Sequence, residues 1–346
     1  MKTEPSVSSE EIKNKINQSY GISLEQLNFV PVGEGSWCYW GQAQNDIFVR
    51  LVKDKDQISL TNGLIKLLAS LGVPIPIPLP DKSGQTVVKV ANFGLVVYPY
   101  ISGLTLMKSD RTNQQVSSLR QAVGKMVGHL HSLTREISNQ IELPIENFTK
   151  FQSEFRLIIS PRNPIYQADQ IVKDLLSFIN VRRCELTSLV QVAEQLGANL
   201  RSREFDYVLC HGDIHEDNVL LSEKGNLYII DWDGAILAPR ERDLYFFGSE
   251  SYLGLNKDNL RGYFASSGPV ETDPVLMDYY TIEWALQEVV DYGSRILSDS
   301  CFDLDGRLDA WQQFQGLFEP NQDVDCAFQV AACYRRDTSV INSSQL

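Results

Sequence analysis

The chain has 346 residues, 43% of them hydrophobic, and a formal net charge of −13; this supplies a sizeable core and favours two lobes over one compact unit. No apolar run approaches the ~18 residues of a membrane-spanning helix, and the opening MKTEPSVSSEE is polar, unlike a secretory leader. Glu204 to Asp325 holds 25 Asp/Glu against 7 Lys/Arg, a net −18 that leaves +5 for the rest, so this half repels nucleic acid and anionic membrane; its acidity serves solubility, attraction of a cation, or both.

In chain order, Ser8 to Tyr20 reads as a short helix, with Ser8 and Glu11 as a capping box and Gly21 as its end. β-type segments follow at Leu27–Val32, Trp37–Ala43 and Asp46–Val52. Ile58–Leu71 has helical spacing and stops at Gly72, and the alternating prolines of Val73–Pro80 force extended chain. Thr86–Val90 and Leu95–Pro99 complete a mostly antiparallel sheet with one inserted helix over residues 1–100. From Gly103 the pattern turns helical, with Val116, Leu119, Val123, Met126, Leu130 and Leu133 on one face. Helix is expected again over about 165–200, then short apolar strands at Tyr207–Cys210, Asn218–Leu221 and Leu227–Asp231. Helices resume near Arg240, and Pro274 opens the longest. The cysteines (Cys38, Cys184, Cys210, Cys301, Cys326, Cys333) are scattered without a CxxC pair and read as reduced residues of a cytoplasmic protein.

The densest chemistry lies in HGDIHEDNVLL, His211 to Leu221. With NVLL and LYIID as hairpin strands and SEKGN as the turn, Asn218 and Asp231 meet at the open mouth, roughly 5 Å apart between α-carbons. An amide oxygen and a carboxylate there suit Mg²⁺. Asp213 enters the same mouth, where a carboxylate can accept a proton from a hydroxyl or simply cap the loop. His211 and His215 have zinc-pair spacing only on a helix, which Gly212 and the flanking strands oppose. A base beside two hard-metal ligands is what phosphoryl transfer needs.

HGDIHEDNVLL followed by YIIDWDGA resembles the aminoglycoside phosphotransferase family, small-molecule kinases with a protein-kinase-like fold. APRERDLYFFG and YYTIEWALQEVVDYG are similar to its spectinomycin-phosphorylating branch. The resemblance runs from about Glu11 to Phe328. It implies a bilobal α+β fold, with a β-rich nucleotide lobe over 1–100 and a mainly helical lobe over 101–346. It further implies Asp213 as catalytic base, Asn218 and Asp231 as metal ligands, His211 as a loop brace, and ATP with Mg²⁺.

On the nucleotide side, VGEGSWCYW places Gly33, Gly35 and Ser36 in a turn whose backbone N–H groups can approach phosphates, though an isolated G-x-G is also an ordinary hairpin turn. The family's phosphate-binding lysine is replaced here by Arg50 in DIFVRLVK, with Lys53 on the opposite face. Arg50 is thus a phosphate contact or a structural arginine. Its helix glutamate is replaced by Gln57, which leaves the expected ion pair without a carboxylate. Tyr98, Tyr100 and Ile101, in the connector LVVYPYISG, are expected around the adenine.

A protonated aminocyclitol fits the acidic half. Candidate contacts are Asp233, Glu250, Glu283, Trp284 and Asp291, with Glu288 and Tyr245 close in sequence. Each is also an ordinary surface or helix-pair residue, and Asp233 also suits a second metal or a turn. Arg240 and Arg242 are expected to brace the loop with Glu241 and Asp243. The expected protein is a monomer or weak dimer, acting on a small cationic hydroxyl-bearing substrate. Competing readings are a choline-, homoserine- or methylthioribose-type metabolite kinase, a protein Ser/Thr kinase, and a nucleotide-binding pseudokinase.

Overall fold

The computed structural model describes residues 2–31, 35–108, 112–161, 169–247, 257–297 and 301–342. Helix α1 (Ser9–Tyr20) forms as expected: Ser8 and Glu11 close a reciprocal capping box, Ile12 and Ile16 are buried, and Gly21 ends it at φ 75°. Strands β1 (Gln26–Val30), β2 (Ser36–Gln42), β3 (Ile47–Val52), β4 (Val88–Val90) and β5 (Phe93–Pro99) make one antiparallel sheet in the order β1-β2-β3-β5-β4. Helix α2 (Lys55–Ser70) starts before the expected Ile58, because the Asp54 carboxylate accepts from the N–H groups of Asp56 and Gln57 and caps it.

The chain does not become helical at Gly103. It first forms β6 (Gly103–Thr105), which joins β8 (Val219–Ser222) and β9 (Leu227–Ile229) in the order β6-β8-β9. A Cβ on Gly103 would lie 2.2 Å from the Leu221 carbonyl oxygen, so only glycine permits this approach. β7 (Tyr207–Cys210) pairs with β10 (Ile236–Pro239), a strand absent from the sequence expectation.

The remaining helices are α3 (Asn113–Ser132), α4 (Thr134–Ser138), α5 (Gln152–Ile159), α6 (Gln170–Val181), α7 (Arg183–Arg201), α8 (Glu241–Leu244), α9 (Lys257–Ser267), α10 (Pro274–Leu297), α11 (Leu304–Gly316) and α12 (Asp323–Asn342). Phe155, Leu175, Leu189, Leu286 and Phe314 belong to one core built by α5, α6, α7, α10 and α11. A second core crosses between the lobes: Leu64 and Leu68 of α2 join Val123, Val127 and Leu130 of α3, and Ile229 and Trp232 beyond β8. The extended Val73–Pro80 segment ties in as well, the Pro74 carbonyl accepting from Ile229 N–H at 2.9 Å. The architecture is bilobal α+β, and the hairpin β8–β9 lies where the lobes meet.

Candidate active site

The hairpin register differs from the expected one. Val219 stands opposite Ile229, and the Asn218 carbonyl accepts from Ile230 N–H at 3.0 Å, so position 230, not Asp231, faces Asn218. Asp231 has left the ladder, at φ 60° and ψ 72°. A short 3₁₀ turn over Glu216–Asn218 brings Asn218 in, and His215 caps it by accepting from Asp217 N–H at 3.3 Å.

The loop ahead of this turn is pinned from beneath. The fully buried Asp243 carboxylate accepts from the backbone N–H groups of His211 (2.9 Å) and Gly212 (2.8 Å) and from His131 Nε2 (3.1 Å). Burial pushes the Asp243 carboxyl upward, but the His131 hydrogen bond and the neighbouring charges outweigh it and leave the group more acidic than usual. His131, Cys210 and Asp243 cluster closely enough to suggest a metal set. His131 is already bonded to Asp243 and, through Nδ1, to Tyr263 at 2.8 Å, so the trio acts as a hydrogen-bonded brace. Gly212 stands at φ 83°, and a Cβ there would lie 2.3 Å from the Gly234 carbonyl, so the two motif loops touch through glycine. The buried His211 donates from Nε2 to the Ile230 carbonyl at 3.0 Å and meets Trp232 edge-on at 4.7 Å, a brace and not half of a zinc pair.

Asp213 sits at the centre. Its Oδ2 accepts from Asn218 Nδ2 at 2.9 Å and faces His215 Nε2 at 3.4 Å, while its buried Oδ1 has no hydrogen-bond partner. Burial raises its pKa, but the His215 hydrogen bond and charge, with His211 and Asn218, bring it below the usual value. His215, which the sequence offers only as half of a disfavoured zinc pair, is part of the site. The counterpart effect lifts His215 above its usual value despite burial.

Arg50 reaches across from β3. Its guanidinium donates to Asp233 Oδ2 at 2.8 Å, lies 3.7 Å from Asp231 Oδ1, and donates through Nε to Ser36 Oγ at 3.3 Å. Burial opposes its charge, and the two carboxylates outweigh burial, raising its pKa. Enclosure by the cleft walls likewise pushes Asp231 upward against the pull of Arg50, although one edge of its side chain stays open to solvent. Gln57, expected opposite Arg50, is exposed; the buried polar residues on α2 are Thr61 and Asn62, and Asn62 accepts from the Tyr98 hydroxyl at 3.2 Å. Tyr98 is therefore buried against α2, whereas Tyr100 is 43% exposed and Ile101 half-buried at the connector. Lys53 turns away, onto the Trp37 ring, as alternation requires. Gly35 opens β2 with free space around it, and Gly33 lies outside the described residues.

On the other side of Asp213, Tyr245, Phe246, Tyr280 and Trp284 line a shallow, open recess with Gly212. Trp284 packs against Phe246 (5.1 Å) and the His215 ring (6.2 Å). One helical face of α10 carries Trp284, Glu288 and Asp291. Burial and the charges of Asp323, Asp291 and Asp213 push Glu288 up to about 8, and burial with Asp213 pushes Asp291 up to about 6. Glu283 is not an open cleft carboxylate: it is buried and accepts from Arg242 Nη1 at 2.7 Å, and Arg242 also donates to Glu146 at 2.9 Å. This corrects the expected brace, since Arg242 pairs with neither Glu241 nor Asp243. Glu250 lies outside the described residues. The half-buried Lys150 carries a charge felt by Asp213 and Asp291, and sequence gave no signal for it. Its loop depends on Phe148 and Phe151 standing at φ 54° and 62°, which no side-chain pattern announces.

The donor set tests whether magnesium and nucleotide fit. Asn218 commits its N–H groups to Asp213, leaving Oδ1 available; the Asp231 side chain is 46% exposed. Hard oxygens beside an arginine suit a metal–phosphate group.

A β-rich lobe, a helical lobe and an aspartate loop between them define a kinase-like phosphotransferase. The chain belongs to the phosphotransferase enzyme family (APH), whose model matches residues 39–273. It is 27% identical over 296 residues to Protein StrN of Streptomyces griseus, covering 82% of this chain and 83% of that one. A spectinomycin phosphotransferase solved with ADP and spectinomycin is similar in fold at TM-score 0.76 and 26% identity, over 94% of this chain and 99% of that one. A microcompartment-associated aminopropanol kinase shares the fold alone, at 13% identity and TM-score 0.61, over 95% of this chain and 98% of that one. Among the described residues, no helix is long and apolar enough to cross a membrane.

Proposed function

We propose that this chain is an ATP- and Mg²⁺-dependent cytoplasmic kinase, monomeric or weakly dimeric, that phosphorylates a hydroxyl of a cationic aminocyclitol of the spectinomycin type. Residues 1–100 hold the nucleotide and 101–346 the acceptor. The observation that carries this reading is Asp213: one oxygen is fixed by Asn218 and His215, the other is free, and the cleft beside it is acidic and aromatic. The likeness to spectinomycin phosphotransferase supports the acceptor class.

The Asp213 carboxylate takes the hydroxyl proton as the new O–P bond forms and ADP departs. A carboxyl held below its usual pKa is a weak base, which suits a loose transition state that needs orientation more than early deprotonation. Arg50 and the Gly35–Ser36 turn hold phosphate oxygens, and Tyr100 and Ile101 border the base. Asn218 Oδ1 and Asp231 hold the metal, which when bound offsets charge on the phosphates. Glu288 and Asp291 draw the protonated amines, and Trp284 and Phe246 form the apolar wall.

The same acid–aromatic cleft selects charge and size, not a ring system, so a kinase of another amine-bearing metabolite is the second reading. Phosphate transfer to a panel of aminocyclitols, amino alcohols and peptides separates the two. Asp213→Ala should lower kcat by at least about a hundredfold and leave nucleotide affinity, by calorimetry, within about threefold. Activity surviving within about tenfold of the parent rejects the base assignment.

A further inference from the structure

Arg50 lacks a carboxylate partner on α2. Gln57 is exposed, Asp54 is occupied as the helix cap, and the buried Asn62 is neutral and bonded to Tyr98. The counter-charges come instead from across the cleft, Asp233 at 2.8 Å and Asp231 at 3.7 Å.

We propose that Asp233 is the positioning residue for Arg50, moving the ion pair that aims the phosphate-binding cation from α2 to the turn after β9. A guanidinium presents several N–H groups in one plane, so one edge can stay on Asp233 while another meets phosphate oxygens. Ser36 Oγ holds Nε and fixes the plane from the β2 side. Asp231, at the longer distance, can turn to a metal without releasing Arg50, whereas Asp233 cannot be given up. Asp233 thereby orients Arg50, and it leaves acceptor recognition to Glu288, Asp291 and the aromatic wall.

This rests on the reading that Arg50 meets nucleotide phosphates, and a double-mutant cycle tests the two separately. Binding of a non-hydrolysable Mg–ATP analogue is measured calorimetrically for the parent, Asp233→Asn, Arg50→Met and the double variant, with KM for ATP and kcat alongside. Circular dichroism checks folding, and Arg50→Gln replaces Arg50→Met if the latter unfolds. The expected result is a loss of about tenfold in affinity for each single variant and no further loss in the double. For Asp233→Asn, KM for ATP should rise with kcat changed by less than about threefold. If Arg50→Met leaves affinity unchanged, both the phosphate reading and the proposal fail. If Arg50→Met weakens binding and Asp233→Asn does not, the proposal alone fails. Additive losses, placing Asp233 on the metal or substrate independently of Arg50, also overturn it.

Discussion

His215 can serve Asp213 in only one tautomer. Its Nδ1 accepts the Asp217 N–H, so the proton sits on Nε2, aimed with Asn218 Nδ2 at one carboxylate oxygen. Two donors on Oδ2 hold the carboxylate plane in place and leave the buried Oδ1 as the oxygen without a partner. We expect His215→Ala to lower kcat about tenfold without changing nucleotide affinity, and His215→Gln, which keeps a donor, to recover part of the loss; steady-state kinetics beside calorimetry decide. Asp231 offers a parallel case, because its left-handed backbone lifts the carboxylate out of the ladder. Asp231→Asn should cut nucleotide affinity at least about tenfold in Mg²⁺ and little in EDTA; an equal loss in both buffers speaks against a metal ligand. The residue types and spacing of Asp213, Asn218 and Asp231 were legible in the sequence. The part played by His215 was not, since it depends on a 3₁₀ turn that a strand reading beginning at Asn218 conceals.

Element by element, strong local signals carried well and weak ones did not. The capping box of α1, the Arg50/Lys53 alternation on β3 and the apolar stripe of α3 are set by neighbours in sequence. β6 and β10 are three and four residues long and become strands only by pairing with β8 and β7, partners far away in the chain. The hairpin turn falls where expected, and the pairing of Leu221 with Leu227 sets Asn218 against Ile230: LYIID is one residue longer than NVLL, so Asp231 lies one residue past the end of the ladder. Helix α8 shows what such tertiary placement achieves. Its Asp243 accepts two consecutive loop N–H groups in a fully buried setting, so the loop leading to Asp213 and α8 form one unit. Asp243→Ala would strand both N–H groups and His131, at a cost of about 3–5 kcal/mol. Asp243→Asn, keeping one acceptor, should cost less. Chemical denaturation read by Trp fluorescence should rank parent, Asn, Ala in falling stability, and an unchanged midpoint for Ala would dismiss the brace.

For the molecule as a whole, the continuous core from α2 to Trp232 joins the lobes, while the charged groups gather at the opening between them. The acidic excess of the second half is partly focused there, on Glu288 and Asp291 beside Asp213. Crowding like charges at low dielectric costs stability and favours a cationic ligand. Glu288 is pushed from 4.5 to about 8. Below the ordinary glutamate range both folded and unfolded chains hold its proton, and the site carries no penalty. As pH rises the unfolded chain releases the proton first, so stability from this site falls until the folded group also ionises near pH 8, and levels off above it. Glu288→Gln removes that loss. Its melting temperature should match the parent near pH 4.5 and exceed it by a few degrees at pH 9. A cationic acceptor added at pH 9 should close the gap by stabilising the parent more than the variant, because it supplies the counter-charge that Glu288 lacks. A melting difference independent of pH would mean that Glu288 is an ordinary surface carboxylate, and the cleft would lose its main claim to recognising charge.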